Sequence, residues 1–81
     1  MASKRRKRSA EELAVILEVG DRLRKARRAA EVTQQEMARA MGVATAAIHN
    51  YESGRNSPPL VCLKAMAKAY GVTVAHLFGE G

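Results

Sequence analysis

Tryptophan is absent from the 81 residues, and only Tyr51, Tyr70 and Phe78 are aromatic. A core built without large rings has to be aliphatic, and Ala, Leu, Val and Met are here to build it. With Arg and Lys these residues favour helix, and few stretches read as strand. Cysteine occurs once, at Cys62, so no intramolecular disulfide can form and a multi-cysteine metal site is excluded. A chain without disulfides suits a reducing cytoplasm, the expected location. No apolar run approaches the roughly 20 residues that a membrane span needs. Glu11, Glu12, Glu18 and Asp21 interrupt the segment after the basic start, so a signal peptide is not expected.

Catalytic chemistry is missing as well. No nucleophile is spaced against a base, and no paired acids suggest an enzyme or a cofactor. His49 and Cys62 invite a metal or thiol reading, but Ser53 stands four residues after His49 and His76 lies near the far end. Cys62 reads as an inert helix residue, and the four Met residues as ordinary core filling. No metal site is expected.

What the chain does have is positive charge, unevenly placed. The formal net charge is +6, and Lys4, Arg5, Arg6, Lys7 and Arg8 supply five positives in succession. The rest of the chain is nearly balanced. A basic arm on a balanced body points to a polyanion, either nucleic acid or an anionic membrane surface. Phosphate or minor-groove contact is the expected role of the arm, and a solubilising tail is the plainer alternative. One domain fits the length, and so small a core would gain from association with a second copy.

Residues 1–8 lack apolar periodicity and read as a flexible arm. Ser9 with Glu12 forms a capping box, and Leu13, Ile16, Leu17, Gly20 and Leu23 follow at helical spacing. That pattern reaches about Ala30, as one long helix or as two broken near Gly20. Residues 9–18 thus make a helical extension ahead of a domain over 19–78. Thr33 and Glu36 form a second capping box, Met37, Ala38 and Met41 an apolar face, and Gly42 a C-terminal cap. After Val43 and Ala44 another helix carries Ile48 and Tyr51 and ends at Gly54. Ser57-Pro58 is expected to open a fourth helix, with Pro58 at its first position and Leu60, Leu63, Met66, Ala67 and Tyr70 inward. Gly71 closes it, and Thr73 caps a short last helix with Val74, Leu77 and Phe78.

Gln34 to Glu52, QQEMARAMGVATAAIHNYE, is the informative stretch. Two short helices joined by a tight turn containing glycine make a helix-turn-helix pattern. Ala38 is small where the two helices cross, Gly42 can take a positive φ, and Val43 and Ile48 plug the space between them.

On these residues, residues 19–78 resemble the Xre family, the DNA-binding fold of the phage lambda repressor and Cro proteins. The likeness runs through Leu23-Arg24, Arg27, Thr33-Gln34, Met37-Ala38, Gly42-Val43, Ile48, Tyr51-Glu52 and Gly54-Arg55. It continues through Pro58, Leu60, Leu63, Ala67, Gly71-Val72 and Leu77. The resemblance implies an all-α, five-helix lambda-repressor-like domain whose third helix enters the major groove of double-stranded DNA. Thr45, Ala46, His49 and Asn50 would then face base edges, with Asn50 suited to adenine and His49 to a base or a phosphate. Thr33, Gln34 and Gln35 at the second helix, and Arg55 and Asn56 after the third, would hold phosphates. Ala44 stands where the family commonly has a capping Ser or Thr, so Thr45 becomes an alternative cap. Ala46 replaces a common polar reader, which shifts weight toward DNA shape. Arg22, Arg24, Lys25 and Arg28 read as a solvated face from which spacing cannot choose a phosphate contact.

The resemblance also implies that Arg27 pairs with Glu52 and fixes the recognition helix. It implies a homodimer, with Val61, Cys62, Ala65, Val74, Leu77 and Phe78 as the candidate interface. Those residues are equally readable as harmless surface, while Leu13, Ile16 and Leu17 form a second candidate or extra core. The expected function is a transcriptional regulator, a repressor above all, on a palindromic operator, touching RNA polymerase if it activates. The chain stops soon after the fifth helix, so no ligand or protease domain is expected. An antitoxin or adaptor using the same fold to hold a partner protein is the rival from another class.

Overall fold

Ser9 starts the first helix by accepting a hydrogen bond from the Glu12 backbone N–H at 3.1 Å, which satisfies one of the amides that a helix leaves unpaired. In this computed structural model, which describes residues 9–80, that helix is α1, Ala10–Ala29. Four more follow: α2 Gln34–Met41, α3 Thr45–Ser53, α4 Leu60–Tyr70 and α5 Val74–Leu77. Among the described residues there is no strand, and the fold is all-α.

α1 does not break at Gly20. Glycine is there because α3 crosses α1 at that point: a Cβ on Gly20 would stand 2.5 Å from the Tyr51 carbonyl oxygen and 2.7 Å from that of Glu52. The helix tolerates the lost propensity, about 1 kcal/mol against Ala, because the close crossing buries Val19, Leu23 and Ala26 around it.

α1 is the beam on which α3, α4 and α5 rest, and α2 packs mainly on α3. Leu23, Ile48, Met66 and Leu77 are fully buried where these helices meet. Each contributes roughly 1.5–3 kcal/mol of hydrophobic burial. Met37, Ala38, Leu63, Ala67 and Tyr70 complete the core. It is aliphatic except for one tyrosine.

Three expectations are corrected. Pro58 is not the first residue of α4: Pro59 occupies the N-cap with φ −57° and ψ 150°, and the helix opens at Leu60. The reason lies in the Pro-Pro pair, since a residue before proline is driven out of the helical region. Leu60 does not face inward; it is 75% exposed at the first turn, on the rim of a cleft shared with Val15 and Phe78. Leu77 cannot serve a dimer surface, because at 0% exposure it belongs to the protomer's own core.

Candidate nucleic-acid interface

Thr33 fixes where α2 begins. Its hydroxyl accepts from the Glu36 N–H at 3.0 Å, while the Glu36 carboxylate accepts from the Thr33 N–H at 2.8 Å. The bond from the Thr33 backbone N–H, and after it the nearby Thr33 hydroxyl, hold the Glu36 carboxyl below its ordinary value. At the other end Gly42 turns to φ 68°, and the Val43 N–H reaches back to the Ala38 carbonyl at 3.0 Å. That left-handed residue reverses the chain within three residues. α3 can then start at once, across the face of α2.

α3 starts without a side-chain cap. Ala44 holds the N-cap position and Thr45 is the first helical residue. Thr45 is therefore not the substitute cap, and its side chain is not committed to one. Ile48 points into the core at 0% exposure, which turns Thr45, Ala46 and His49 to solvent. Asn50 is half-buried beside them. Arg55 and Asn56 stand exposed just beyond, and the Asn56 N–H is tied to the Asn50 carbonyl at 3.2 Å.

Behind this outward flank lies a lock. Arg27 on α1 donates from Nε to Glu52 Oε2 at 2.6 Å and from Nη2 to Oε1 at 3.1 Å. Its Nη1 donates to the Val32 carbonyl at 2.9 Å, and Gln34 Nε2 donates to Glu52 Oε1 at 3.0 Å. The two charged side chains are 10% and 3% exposed. The fork-on-fork geometry fixes direction as well as distance. The hydrogen bonds to Glu52 push the arginine further up from its already high value. One buried cluster therefore ties the middle of the fold (α1), the start of α2 and the end of α3 into a single piece. Tyr70 reaches the same region from α4, with its hydroxyl buried and without a hydrogen-bond partner. Burial, and then the Glu52 charge, push that hydroxyl up to about 12.

Sequence reasoning missed Gln34 and the Val32 carbonyl as members of this cluster. Gln34 carried only a phosphate role, yet its side-chain amide turns to Glu52. No spacing rule connects positions 18 residues apart, so only the fold could reveal it. Lys4, Arg5, Arg6, Lys7 and Arg8, expected to form a basic arm, lie outside the described residues. Of the residues assigned to a dimer surface, Val61, Ala65 and Phe78 are exposed, and Cys62 and Val74 are half-buried.

Among the described residues no three His, Cys, Asp or Glu side chains gather to hold a metal. No described helix is long and apolar enough to cross a membrane.

The profile of a helix-turn-helix domain matches residues 18–77. The chain belongs to this family. Its form is Xre-like: residues over 80% of the chain superpose on the restriction-modification controller protein C.AhdI from Aeromonas hydrophila, covering 98% of that protein, with a TM-score of 0.72 and 28% identity. The chain is also 34% identical over 58 residues to YobD, an uncharacterized HTH-type transcriptional regulator of Bacillus subtilis (strain 168). The match covers 72% of this chain, which spans about half the length of that relative (52%). The family match begins at Glu18, eight residues into α1, so the first two turns of that helix extend beyond it.

Proposed function

We propose that this helix-turn-helix protein binds double-stranded DNA at specific sites and regulates transcription, acting as a homodimeric repressor on a palindromic operator. The observation that carries the reading is the outward flank of α3. Thr45, Ala46 and His49 face solvent while Arg27, Gln34 and Glu52 hold the helix from behind. A helix read by DNA must be presented rigidly, and this one is locked at its C-terminal end and plugged by Ile48 at its middle.

Base reading falls to Thr45, Ala46, His49 and Asn50. Asn50 offers a bidentate contact to adenine, and Ala46 an apolar contact to a thymine methyl. Backbone contacts fall first to Arg55 and Asn56 after α3, and less to the start of α2, where the Thr33 N–H and the Gln34 side chain are engaged within the fold and Gln35 is left. So few polar readers leave part of the specificity to DNA shape. A twofold dimer would set two such helices about 34 Å apart, one helical turn of DNA. Val61, Cys62, Ala65, Val74 and Phe78 remain its candidate contacts, with Leu77 removed. The likeness to a restriction-modification controller and to an HTH-type regulator supports the regulatory part of the reading. A dimer bound at a promoter represses by occlusion, and a face left toward RNA polymerase would activate.

Selection of bound sequences from random duplex DNA tests the proposal. A palindromic consensus with half-sites one turn apart is the expected outcome. A non-palindromic consensus removes the dimer, and no enrichment removes sequence-specific binding. Binding of a partner protein by a chain that ignores DNA would replace the reading with the adaptor function.

A further inference from the structure

Five cations lie along α1, and four of them are already answered by acids. Arg22 pairs with Glu18 at 3.3 Å, Arg24 and Lys25 both pair with Asp21, and Arg27 with Glu52. Of these five, only the Arg28 side chain has no acidic partner and no hydrogen bond, and it is exposed. Sequence spacing could not separate it from its neighbours; the pairing pattern does.

Arg28 does not stand on an open face. It lines a cleft of about 170 Å³ between α1, the start of α2 and the middle of α3. Gln34 and His49 line the same cleft, with the buried Arg27–Glu52 pair at its base and Arg24 on its wall. Arg27 is cancelled by Glu52 and Arg24 by Asp21 beside the cleft, which leaves Arg28 as the uncompensated charge of the lining. The volume is more than ten times the roughly 10–15 Å³ that one water needs, so a group larger than a water can enter. His49 belongs both to this cleft and to the outward flank of α3, so whatever lies along that flank passes the mouth of the cleft.

The start of α2 is a poorer place for an anion than its helix dipole suggests. The Glu36 carboxylate already sits on the Thr33 N–H, and the Gln34 amide is spent on Glu52. A backbone phosphate approaching this side meets a carboxylate at α2 and an unanswered guanidinium at Arg28.

We infer that the α1–α3 cleft receives a DNA backbone phosphate beside the recognition helix, and that Arg28 is the group that grips it. The inference rests on the DNA-binding reading above and adds to it a phosphate site on α1. Arg28 positions the protein and reads no base.

The test compares wild type, Arg28→Ala and Arg28→Lys on the selected operator and on an unrelated duplex across a salt series. Lys64→Ala, an exposed charge on α4, controls for the loss of net charge. Arg28→Ala should make the log–log salt slope shallower by about 0.9, one phosphate's worth, while Lys64→Ala leaves it unchanged. Affinity at fixed low salt should fall roughly tenfold on both duplexes alike, as expected for one charge-assisted bond. Arg28→Lys should restore most of the slope. A wild-type protein that binds its operator while Arg28→Ala keeps the wild-type slope overturns the cleft assignment and leaves the operator reading intact. A selective loss on the operator alone overturns it too, since that is base reading. Wild type binding no duplex at any salt would remove both readings together. Helix content by circular dichroism should match wild type for every variant, because the Arg28 and Lys64 side chains make no bond within the fold.

Discussion

Replacing Arg27 by alanine should cost this domain much of its stability. The side chain supplies two of the three hydrogen bonds to Glu52, at 2.6 and 3.1 Å, and one to the Val32 carbonyl at 2.9 Å. Glu52 is 3% exposed, so water cannot substitute, and the single remaining donor is the Gln34 amide. Breaking a buried pair from one side costs about 3–5 kcal/mol, because the other charge stays behind. For a domain of this size each kcal/mol shifts Tm by about 4–8 °C, so Arg27→Ala should melt at least about 12 °C lower. Thermal and urea denaturation followed by circular dichroism, at fixed protein concentration, read the loss directly. Salt separates this loss from a surface effect. Between 0.01 M and 1 M the Debye length falls from about 30 to about 3 Å, yet a buried pair is barely screened, so the deficit should persist. Replacing both partners, Arg27→Met with Glu52→Leu, removes the stranded charge and should recover most of the stability. The reasoning is refuted if Arg27→Ala melts within about 2 °C of wild type, or if its deficit vanishes in high salt.

Gly20→Ala should destabilise despite alanine's better helix propensity. The gain is about 1 kcal/mol, whereas a Cβ at 2.5 Å from a backbone carbonyl forces α1 and α3 apart at a cost of up to about 3 kcal/mol or more; a more stable variant would show that the crossing is loose. Tyr70→Phe should be at least as stable as wild type at neutral pH, since the hydroxyl is buried without a partner, and a loss beyond about 1 kcal/mol in urea denaturation would mean a partner exists. The same variant tests a pH dependence: the Tyr70 hydroxyl is raised from 10 to about 12 by burial, so its contribution is whole below pH 10 and is lost as pH climbs toward 12. Tyr70→Phe should flatten that alkaline decline, and an identical decline in both proteins would assign it elsewhere. Deleting residues 2–8 should lower the salt slope of DNA binding by roughly 4 if the five arm cations all meet phosphates; an unchanged slope would mark the arm as a tail that takes no part in binding.

What the sequence made legible was local. Ser9, Thr33 and Thr73 announce helix starts because a capping oxygen serves an amide three residues away, and all three do so here. Gly42 announces the turn because few other residues accept φ 68° cheaply. The errors were local too, but they arose where two rules competed. Pro58 alone reads as a helix start, whereas Pro58 before Pro59 is excluded from one. Leu77 fits an apolar stripe, and a stripe does not say whether its other side is core or partner. Gly20 illustrates the remaining limit: as a possible helix break it was ambiguous, and its cause, the carbonyls of Tyr51 and Glu52, lies over 30 residues away.

The same division explains how the candidate site is built. Ile48, Glu52 and Gly42 are held by packing, a buried ion pair and backbone geometry, so the pose of α3 depends on them. Thr45, Ala46 and His49 are exposed and make no bond that the fold requires. A substitution among these three should change which duplex is bound while leaving the melting temperature nearly untouched, whereas a substitution in the first group should lower both stability and affinity for every duplex. On the proposed reading, the residues that hold α3 are distinct from those that would meet a duplex. Arg28 belongs with the second group in having a side chain free of the fold, but on the inference above its charge would meet a feature common to all DNA. It should therefore set how tightly the protein sits on a duplex, and the α3 flank should set where.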